Sequence, residues 1–465
     1  MEFVTSIFQY IIDMGASVML PIMIIILSLC VGVKLGKAVR SGLMIGVGFV
    51  GLGLIVNLMN DQLGPAAQQM SERFGLSLSV VDIGWPGMSP ITWTSSIAII
   101  AIPIAILVNL IMLALKWTKT VNIDIWNVWH ITFTGAIVFA VTNNYWLGIL
   151  ALVIQAMIVY KLGDLWGPIC TDYFEIEGLT SPHGTSAYLA PIACAVDLAI
   201  EKIPGLNKIN ITSETLQEKV GVLGEPIVIG FLLGAIIGML AGYPINSSLM
   251  LGVNMSAVMV LMPKIVKCIM EGLMPLSERA REILTNKFGN GEFYIGMDPA
   301  VLLGDSQVVT AGLIFIPITL LLAVILPGNR VLPFGDLATI SFFIAIAVGI
   351  HKGNLFRTLV SGTVIMALTL WICNQAIDWT TALAVSTGSV SAGSLVAAMD
   401  QGGSPLTYVI TSFFSGTNFV PALIIGLFYI VCILCSIKVS RTRKAAIEAA
   451  EEEWDEEDDY ALAAE

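Results

Sequence analysis

The sequence predicts an all-α polytopic membrane protein, with about eleven transmembrane helices in two inverted repeats that carry re-entrant hairpins. Three observations lead to this fold class. The 465-residue chain is 56% hydrophobic and only 12% charged, with a mean hydropathy of +0.87. Many segments approach the roughly 20 apolar residues that a helix needs to cross a bilayer. Short polar motifs also occur in the same order in the two halves of the chain.

The predicted spans are of two kinds. Uninterrupted apolar segments occupy residues 17–33, 41–58, 97–115, 226–243, 308–327 and 411–437. Segments interrupted by Gly, Pro or Asn occupy residues 131–160, 187–200, 247–265, 337–350 and 355–373. The first span is expected to be retained, because it lacks the basic n-region and the small-residue cleavage site of a signal peptide.

Basic residues near the two ends of the chain predict its orientation. No Lys or Arg occurs in residues 1–33. The first span is followed by Lys34, Lys37 and Arg40, and the last by Lys438, Arg441, Arg443 and Lys444. By the positive-inside rule, the N-terminus lies outside and the C-terminus lies in the cytoplasm. That orientation requires an odd number of spans, in agreement with a count of about eleven.

The formal net charge of −12 comes mostly from the end of the chain. Residues 446–465 contain ten acidic side chains and no basic one. Such a block is typical of a solvated, disordered tail, and a docking segment for a basic partner is the alternative. The rest of the chain is nearly neutral.

The seven cysteines are scattered, most of them within apolar segments, and their spacing does not form a set of metal ligands. We therefore expect neither disulfides nor a metal site, and no cofactor.

Two pairs of segments indicate an internal duplication. Residues 19–47 can be aligned with residues 224–253, and residues 70–107 with residues 284–321. Each match is weak by itself, because apolar sequences align easily by chance. Their common order along both halves favours duplication, which is frequent in transporters.

Two further matches keep the same order. Pro86 and Pro299 are 213 positions apart, and Glu177 and Asp400 are 223 positions apart, each acid preceding a Ser-Pro step. The predicted division is a first repeat, a linker, a second repeat and a cytoplasmic basic-then-acidic tail, at 1–205, 206–223, 224–437 and 438–465.

The polar segment "EIEGLTSPHGTSAYLAP" (175–191) lies between long apolar runs. If each repeat has an odd number of spans, the two copies insert with opposite orientations. Polar, irregular backbone at membrane depth is tolerated only where protein or a water-filled cavity satisfies it. We therefore expect this hairpin and its partner "GGSPLT" to meet around a binding site. The alternative is an extramembrane loop over residues 163–186.

The candidate site residues combine carboxylates, amides, hydroxyls and one aromatic face. No Lys or Arg lies in these segments, so an anionic substrate is disfavoured and a neutral polyol fits best. His130 and His351 are interpreted as structural or interfacial. The candidates are Glu177, Ser181, His183, Thr185, Ser186, Asp400, Gln401, Ser404, Thr407, Trp93, Thr94, Ser95, Asp305, Ser306 and Gln307.

Five motifs together resemble the membrane component IIC of the galactitol-type phosphotransferase system, in the ascorbate/galactitol superfamily. They are "GWPGMSPITWTSS", "EGLTSPHGTSAYLAP", "GEPIVIGFLLGAIIGMLAGYP", "GMDPAVLLGDSQVV" and "MDQGGSPLTYV". The resemblance covers nearly the whole chain except the acidic tail. It implies a homodimer in a bacterial cytoplasmic membrane, in which each subunit has a core domain and a scaffold domain and moves substrate by an elevator-like motion.

The resemblance also implies a function and partners. Such a permease binds a galactitol-like polyol outside and presents it to a separate IIB protein, which carries a phosphocysteine and is itself phosphorylated by IIA. The chain would be the permease subunit of a phosphotransferase complex. Phosphoryl transfer needs mainly positioning and electrostatics, and Glu177, His183 and Asp400 are expected to orient the hydroxyl or accept its proton.

Two other classes of function are open to the sequence. An ion-coupled secondary transporter of a neutral polar solute would use the same inverted repeats and carboxylates. An intramembrane aspartyl protease is suggested by the Gly-Asp pairs but lacks a catalytic partner motif.

Overall fold

The computed structural model describes residues 16–75, 78–212, 215, 222, 225–288, 293–333, 335–391 and 393–464. Over these residues the chain is mostly helical, and its strands have two or three residues each. The predicted all-α class is therefore confirmed. The start of the chain, whose outside location is predicted, and half of the predicted linker lie outside the described residues.

The first half begins with a helical pair and continues through three short strands and six more helices. The helices are α1 (Ala16–Cys30), α2 (Leu35–Arg73), α3 (Gly84–Thr94), α4 (Ala98–Ala114), α5 (Ile125–Thr142), α6 (Tyr145–Asp172), α7 (Gly184–Ala187) and α8 (Ala190–Glu201). The strands are β1 (Val80–Val81), β2 (Thr120–Asn122) and β3 (Leu179–Thr180).

The second half follows a similar order. Its helices are α9 (Pro226–Ala241), α10 (Ile245–Phe288), α11 (Ser306–Ile325), α12 (Ile340–Ile350), α13 (Leu355–Gln375), α14 (Ile377–Ser386), α15 (Pro405–Ser415) and α16 (Phe419–Ala464). Its strands are β4 (Tyr294–Gly296) and β5 (Val331–Leu332), and short 3₁₀ turns occupy Leu206–Lys208, Pro299–Gly304, Leu337–Thr339 and Gln401–Gly403.

The predicted span 131–160 is two helices rather than one. Asn143 ends α5 in the left-handed conformation, with φ of 51°. The side chain of Asn144 then accepts from the backbone N–H groups of Trp146 and Leu147 and so begins α6. Asparagine tolerates the left-handed region and caps helices well, which explains the break.

The predicted span 411–437 is likewise divided. Gly416, with φ of +69°, ends α15, and α16 begins at Phe419. At its other end α16 continues to Ala464, so the expectation of a disordered tail is wrong for the backbone. Ala and Glu, which dominate the start of this segment, are strong helix formers.

Two small parallel sheets each join the two halves of the chain. In the first, Val80 of β1 pairs with Val331 of β5, and Asp82 forms a bridge with Ala397. In the second, β4 lies between β2 and β3. The first strand of the first half, β1, thus lies beside β5, and the first strand of the second half, β4, lies between β2 and β3. These strand contacts, where the two halves cross, position the site described below.

Long apolar helices surround these crossings. Within the described part of the chain, six helices are long and apolar enough to cross a membrane, including α5, α6, α11 and α13. Large apolar side chains are exposed on helices α2 and α9, and several are exposed on α16. An apolar exterior of this kind is expected where lipid or another subunit covers the helices.

Candidate functional site

The polar segment that contains His183 (175–191) and the one that contains Asp400 (400–407) meet in the interior. We refer to them as the two broken segments. His183 caps the start of α7 just after β3, and Asp400 precedes the 3₁₀ turn Gln401–Gly403 just after the bridge at Ala397. Asp400 is 6% exposed and His183 is 5% exposed. The tertiary structure therefore brings together two polar side chains that are far apart in sequence.

Asp400 is the most heavily hydrogen-bonded side chain of this site. Its Oδ1 accepts from Thr185 Oγ1 at 2.5 Å and from Gln401 Nε2 at 3.0 Å. Its Oδ2 lies 3.3 Å from Nε2 of His130, a residue of α5 that is 1% exposed. Buried charged groups are rarely found without such partners.

His183 pairs with a different carboxylate. Its Nε2 lies 3.3 Å from Oδ2 of Asp298, while its Nδ1 accepts from the backbone N–H of Thr185. Because Nδ1 is the acceptor, Nε2 carries the proton that faces Asp298. The ring centroids of His130 and His183 are 4.1 Å apart in an edge-to-face arrangement. The site is thus a continuous chain of acid, imidazole, imidazole and acid.

Buried carboxylates hold the backbone at and beside the cluster. Asp336 Oδ1 accepts from Trp85 N at 2.8 Å, and its Oδ2 accepts from Asp400 N at 2.8 Å. On the other side, Asp124 Oδ2 accepts from Asp298 N at 3.1 Å. Asp336 and Asp124 each precede a helix in their own half. Each accepts from the backbone just after the first strand of the other half, which is β1 for Asp336 and β4 for Asp124.

Gly184 lets the two segments approach closely. A Cβ at this position would come 2.7 Å from Nε2 of Gln401 and 2.7 Å from the ring of His130. Both neighbours belong to the hydrogen-bonded cluster around Asp400. Any larger residue at position 184 would therefore displace the cluster, which explains why the smallest residue stands there.

Several polar atoms of the site have no hydrogen-bond partner among the described residues. They are Nδ1 of His130, Nε1 of Trp129 and Oε1 of Gln401. A buried donor or acceptor without a partner costs about 1–3 kcal/mol. One ring nitrogen, one indole N–H and one amide oxygen can together donate to and accept from hydroxyl groups.

Four of the sequence-predicted residues are joined in this cluster: His183, Thr185, Asp400 and Gln401. Others lie next to it in the same segments. Thr407 shares a hydrogen bond of 2.9 Å with Thr134, and Ser404 caps α15. Ser186 Oγ accepts from Ile346 N, and the buried Ser181 hydroxyl has no partner within the described chain.

The remaining candidates have other positions. Glu177 is exposed, just before β3. Trp93, Thr94 and Ser95 lie at the end of α3, where the two hydroxyls donate to carbonyls of their own turn.

Asp305 caps α11 by accepting from the N–H groups of Gln307 and Val308, and Ser306 begins that helix. The side chain of Gln307 is buried, and its Nε2 lacks a partner in the described part of the chain.

Sequence reasoning missed His130, Asp298 and Asp124. The signal for His130 was available, because an ionisable side chain inside an apolar span is a functional candidate by default. It was instead interpreted as structural or interfacial. Asp298 precedes a proline at the start of a helical turn and resembles an ordinary helix cap. His351 does have a structural environment, with Nδ1 3.1 Å from Asp197 and Nε2 2.8 Å from Ser361.

Comparison with known proteins identifies the family. A family model described as the sugar-specific permease component of the PTS, EIIC-GAT, matches residues 10–394. The galactitol-specific EIIC component of the PTS from Escherichia coli (strain K12) is 53% identical over 437 residues, which cover 94% of this chain and 97% of that protein. The chain belongs to the EIIC-GAT permease family. This confirms the resemblance seen in the motifs.

A more distant relative extends the family. The putative permease IIC component of Escherichia coli (strain K12) is 38% identical over 386 residues, covering 83% of this chain and 88% of that protein. An EIIC permease is a multi-pass membrane protein, in agreement with the six long apolar helices found within the described residues. The cluster around Asp400 and His183 is thus the buried polar centre of a PTS permease.

Proposed function

We propose that this EIIC permease takes up a neutral, galactitol-like sugar alcohol and that the cluster around Asp400 and His183 binds it. The observation that carries the proposal is a buried constellation of acids, imidazoles, hydroxyls and amides where two broken segments meet. The identity of 53% with a galactitol-specific component supports the choice of polyol.

The chemistry of the cluster favours a neutral substrate. Its side chains offer both donors and acceptors, as vicinal hydroxyls require. The carboxylates of Asp400 and Asp298 would repel an anion. A phosphorylated product carries a charge of about −1.5 to −2 at pH 7, so product would be released from this site more readily than substrate.

The phosphoryl donor in this proposal is the phosphocysteine of a separate IIB protein, which IIA recharges. The substrate hydroxyl oxygen attacks phosphorus, the P–S bond breaks and the cysteine leaves as thiolate. The hydroxyl proton passes to a carboxylate or imidazole of the cluster, with Asp400 and His183 in the best position. The permease contributes orientation and proton acceptance, which are the main requirements of this transfer.

The proposed architecture is a pair of inverted repeats that act as a homodimer with elevator-like motion. Its support is the reciprocal use of carboxylates: Asp336 caps the segment at Trp85, and Asp124 caps the segment at Asp298. The N-terminus is proposed to lie outside and the C-terminus inside. Reporter fusions at the two ends should report opposite sides, and the same side for both would contradict the inverted repeat.

Membrane vesicles containing this permease, with soluble IIA and IIB, test the proposed function. Galactitol should appear inside only as its phosphate, and only when phosphoenolpyruvate is supplied. Labelled phosphoenolpyruvate should mark IIA and IIB and leave the permease unlabelled. Accumulation of unmodified polyol driven by an ion gradient would instead identify a secondary transporter.

A further inference from the structure

One ring nitrogen of the central cluster has no hydrogen-bond partner. His130 lies in α5 and is 1% exposed, and its Nδ1 is unpartnered among the described residues. Its other ring nitrogen, Nε2, lies 3.3 Å from Oδ2 of Asp400 and 3.3 Å from Oγ1 of Thr185. The two nitrogens of this buried ring therefore have very different surroundings.

The partners of Nε2 determine which nitrogen of the neutral ring carries the hydrogen. A carboxylate only accepts hydrogen bonds, and a threonine hydroxyl has a single hydrogen to donate. Thr185 donates that hydrogen to Oδ1 of Asp400 at 2.5 Å, so its oxygen can only accept from His130. Both contacts require a hydrogen on Nε2, and Nδ1 therefore has a free lone pair.

The other basic atoms of the cluster already accept hydrogen bonds or carry hydrogen. His183 accepts from the backbone N–H of Thr185 with its Nδ1, and its Nε2 faces Asp298 at 3.3 Å. Each oxygen of Asp400 has at least one partner. Among the ring nitrogens of the cluster, Nδ1 of His130 is thus the one whose lone pair is unused within the described chain.

An acid on one nitrogen of an imidazole and a lone pair on the other is the arrangement of a general base. The acid fixes the tautomer and the orientation of the ring, and it stabilises the imidazolium that forms when the free nitrogen accepts a proton. Asp400 has this position relative to His130. His183 packs edge-on against the same ring, with the centroids 4.1 Å apart.

A hydrogen-bond donor without an acceptor lies beside this ring. The ring centroids of Trp129 and His130 are 4.5 Å apart, and the buried Nε1–H of Trp129 has no acceptor among the described residues. An indole N–H only donates, and it therefore suits the oxygen of a hydroxyl whose hydrogen is directed to Nδ1.

We propose that His130 is the general base of the phosphoryl transfer and accepts the proton of the substrate hydroxyl on Nδ1. The inference rests on the proposed function and names the first proton acceptor within the cluster. The hydroxyl oxygen bonds to phosphorus, the P–S bond breaks, its electron pair leaves with the cysteine sulfur, and the O–H proton moves to Nδ1. Asp400 stabilises the imidazolium, which releases the proton to water after the product leaves.

The test measures galactitol binding and phosphorylation by the purified full-length His130→Gln permease. The glutamine amide can still donate to Asp400, but it has no basic nitrogen. General base catalysis contributes about 100-fold to 10,000-fold, so single-turnover transfer from phospho-IIB to galactitol should slow by about that factor. Galactitol affinity should fall by no more than about tenfold, because one neutral hydrogen bond is lost.

The matched control is His351→Gln. His351 is also buried and also pairs with an acid, but both of its nitrogens have partners, Asp197 at 3.1 Å and Ser361 at 2.8 Å. The control should keep wild-type transfer and affinity, and thermal unfolding checks that both variants are folded. An equally large loss of transfer in His351→Gln would show a structural effect and would overturn the inference.

Nitrogen-15 NMR of the wild type tests the tautomer without a folded His130 variant. The chain has three histidines, so selective labelling gives few signals, and substitution of the other two assigns His130. Ligand-free His130 should carry hydrogen on Nε2 and none on Nδ1, and galactitol should shift the Nδ1 resonance. A hydrogen on Nδ1, or no shift at saturating galactitol, would overturn the inference.

The outcomes separate this inference from the proposed function. A folded His130→Gln protein with wild-type transfer would overturn this inference alone, provided that Asp400→Asn still lost galactitol binding. A wild-type protein that binds no galactitol would overturn the proposed function and this inference together.

Discussion

The two broken segments that meet in the centre share a backbone design and differ in chemistry. Each begins after a short strand contact and turns at a buried polar residue, His183 in the first half and Asp400 in the second. His183 faces a carboxylate from the second half, Asp298, while Asp400 faces an imidazole from the first half, His130. Each segment thus depends on the other half for its polar partner.

This difference shows how one structural device can produce an asymmetric site. Each contact pairs an imidazole of the first half with a carboxylate of the second half, His183 with Asp298 and His130 with Asp400. An opposite charge favours the charged form of each partner, whereas a like charge would disfavour it. The site therefore contains both hydrogen-bond donors and acceptors.

The largest effect is expected for Asp400, the acid of the second broken segment. Asp400→Asn keeps the size of the side chain but replaces one of its two acceptor oxygens by a donor. Three groups approach the carboxylate in the wild type, so the amide cannot satisfy all of them. A hydrogen bond to a charged group is worth about 1.5–3 kcal/mol, so polyol affinity should fall about tenfold to a hundredfold. Isothermal titration of the purified variant with galactitol measures the loss.

The control for this prediction is Asp378→Asn, which makes the same chemical change at an exposed position in α14. It should bind galactitol as the wild type does. If Asp400 is also the proton acceptor, Asp400→Asn should lose phosphorylation by more than it loses binding. Wild-type binding and phosphorylation in a correctly inserted Asp400→Asn protein would remove the second segment from the site.

The capping acids provide the second test, because each half supplies one acid that holds the backbone of the other half. In Asp336→Asn, an amide N–H₂ must face a backbone N–H that now donates to a carboxylate, either Trp85 N or Asp400 N. The unfolding free energy should fall by about 1–3 kcal/mol. Asp124→Asn should have a similar effect through Asp298 N. Thermal unfolding in one detergent compares them, and a loss in only one variant would show that the two caps are not equivalent.

A smaller effect is expected at the hydroxyl pair beside the cluster. Thr134 and Thr407 are buried and share a hydrogen bond of 2.9 Å. Thr134→Val leaves Thr407 without this partner and should cost about 1 kcal/mol of stability. The double variant with Thr407→Val should be less destabilised than the sum of the two single variants, because both partners are then apolar. Strict additivity in thermal unfolding would argue against a hydrogen bond.

The smallest effect is expected at Glu177, the acid that sequence spacing pairs with Asp400. The structure gives Asp400 a different counterpart, His183, since both follow a strand contact and precede a short helical turn. Glu177 is exposed, and surface substitutions usually change stability by less than about 0.5 kcal/mol. Glu177→Gln should therefore change polyol affinity by less than about threefold. A tenfold loss in the same titration would restore the role that the sequence predicts.

Much of this protein follows from its sequence alone. Long apolar segments must become helices in a bilayer, because lipid offers no hydrogen bonds to a free backbone. For the same reason, polar segments such as 175–191 and 400–407 between apolar runs indicate buried polar positions, and His183 and Asp400 could be selected from them. Helix ends are harder to predict from the sequence. Asn143 and Gly416 each end a helix inside a predicted span, because the mean hydropathy of a long segment hides a single helix-ending residue.

Only the tertiary structure decided which polar residues meet. The contact between His130 and Asp400 joins residues 270 positions apart, and that between His183 and Asp298 depends on β4 lying between β2 and β3. A sequence shows that a buried acid needs a partner, because an unpaired charge is too costly inside a membrane protein. It does not show which partner, since that choice is made by the crossing of two halves whose side chains are far apart along the chain.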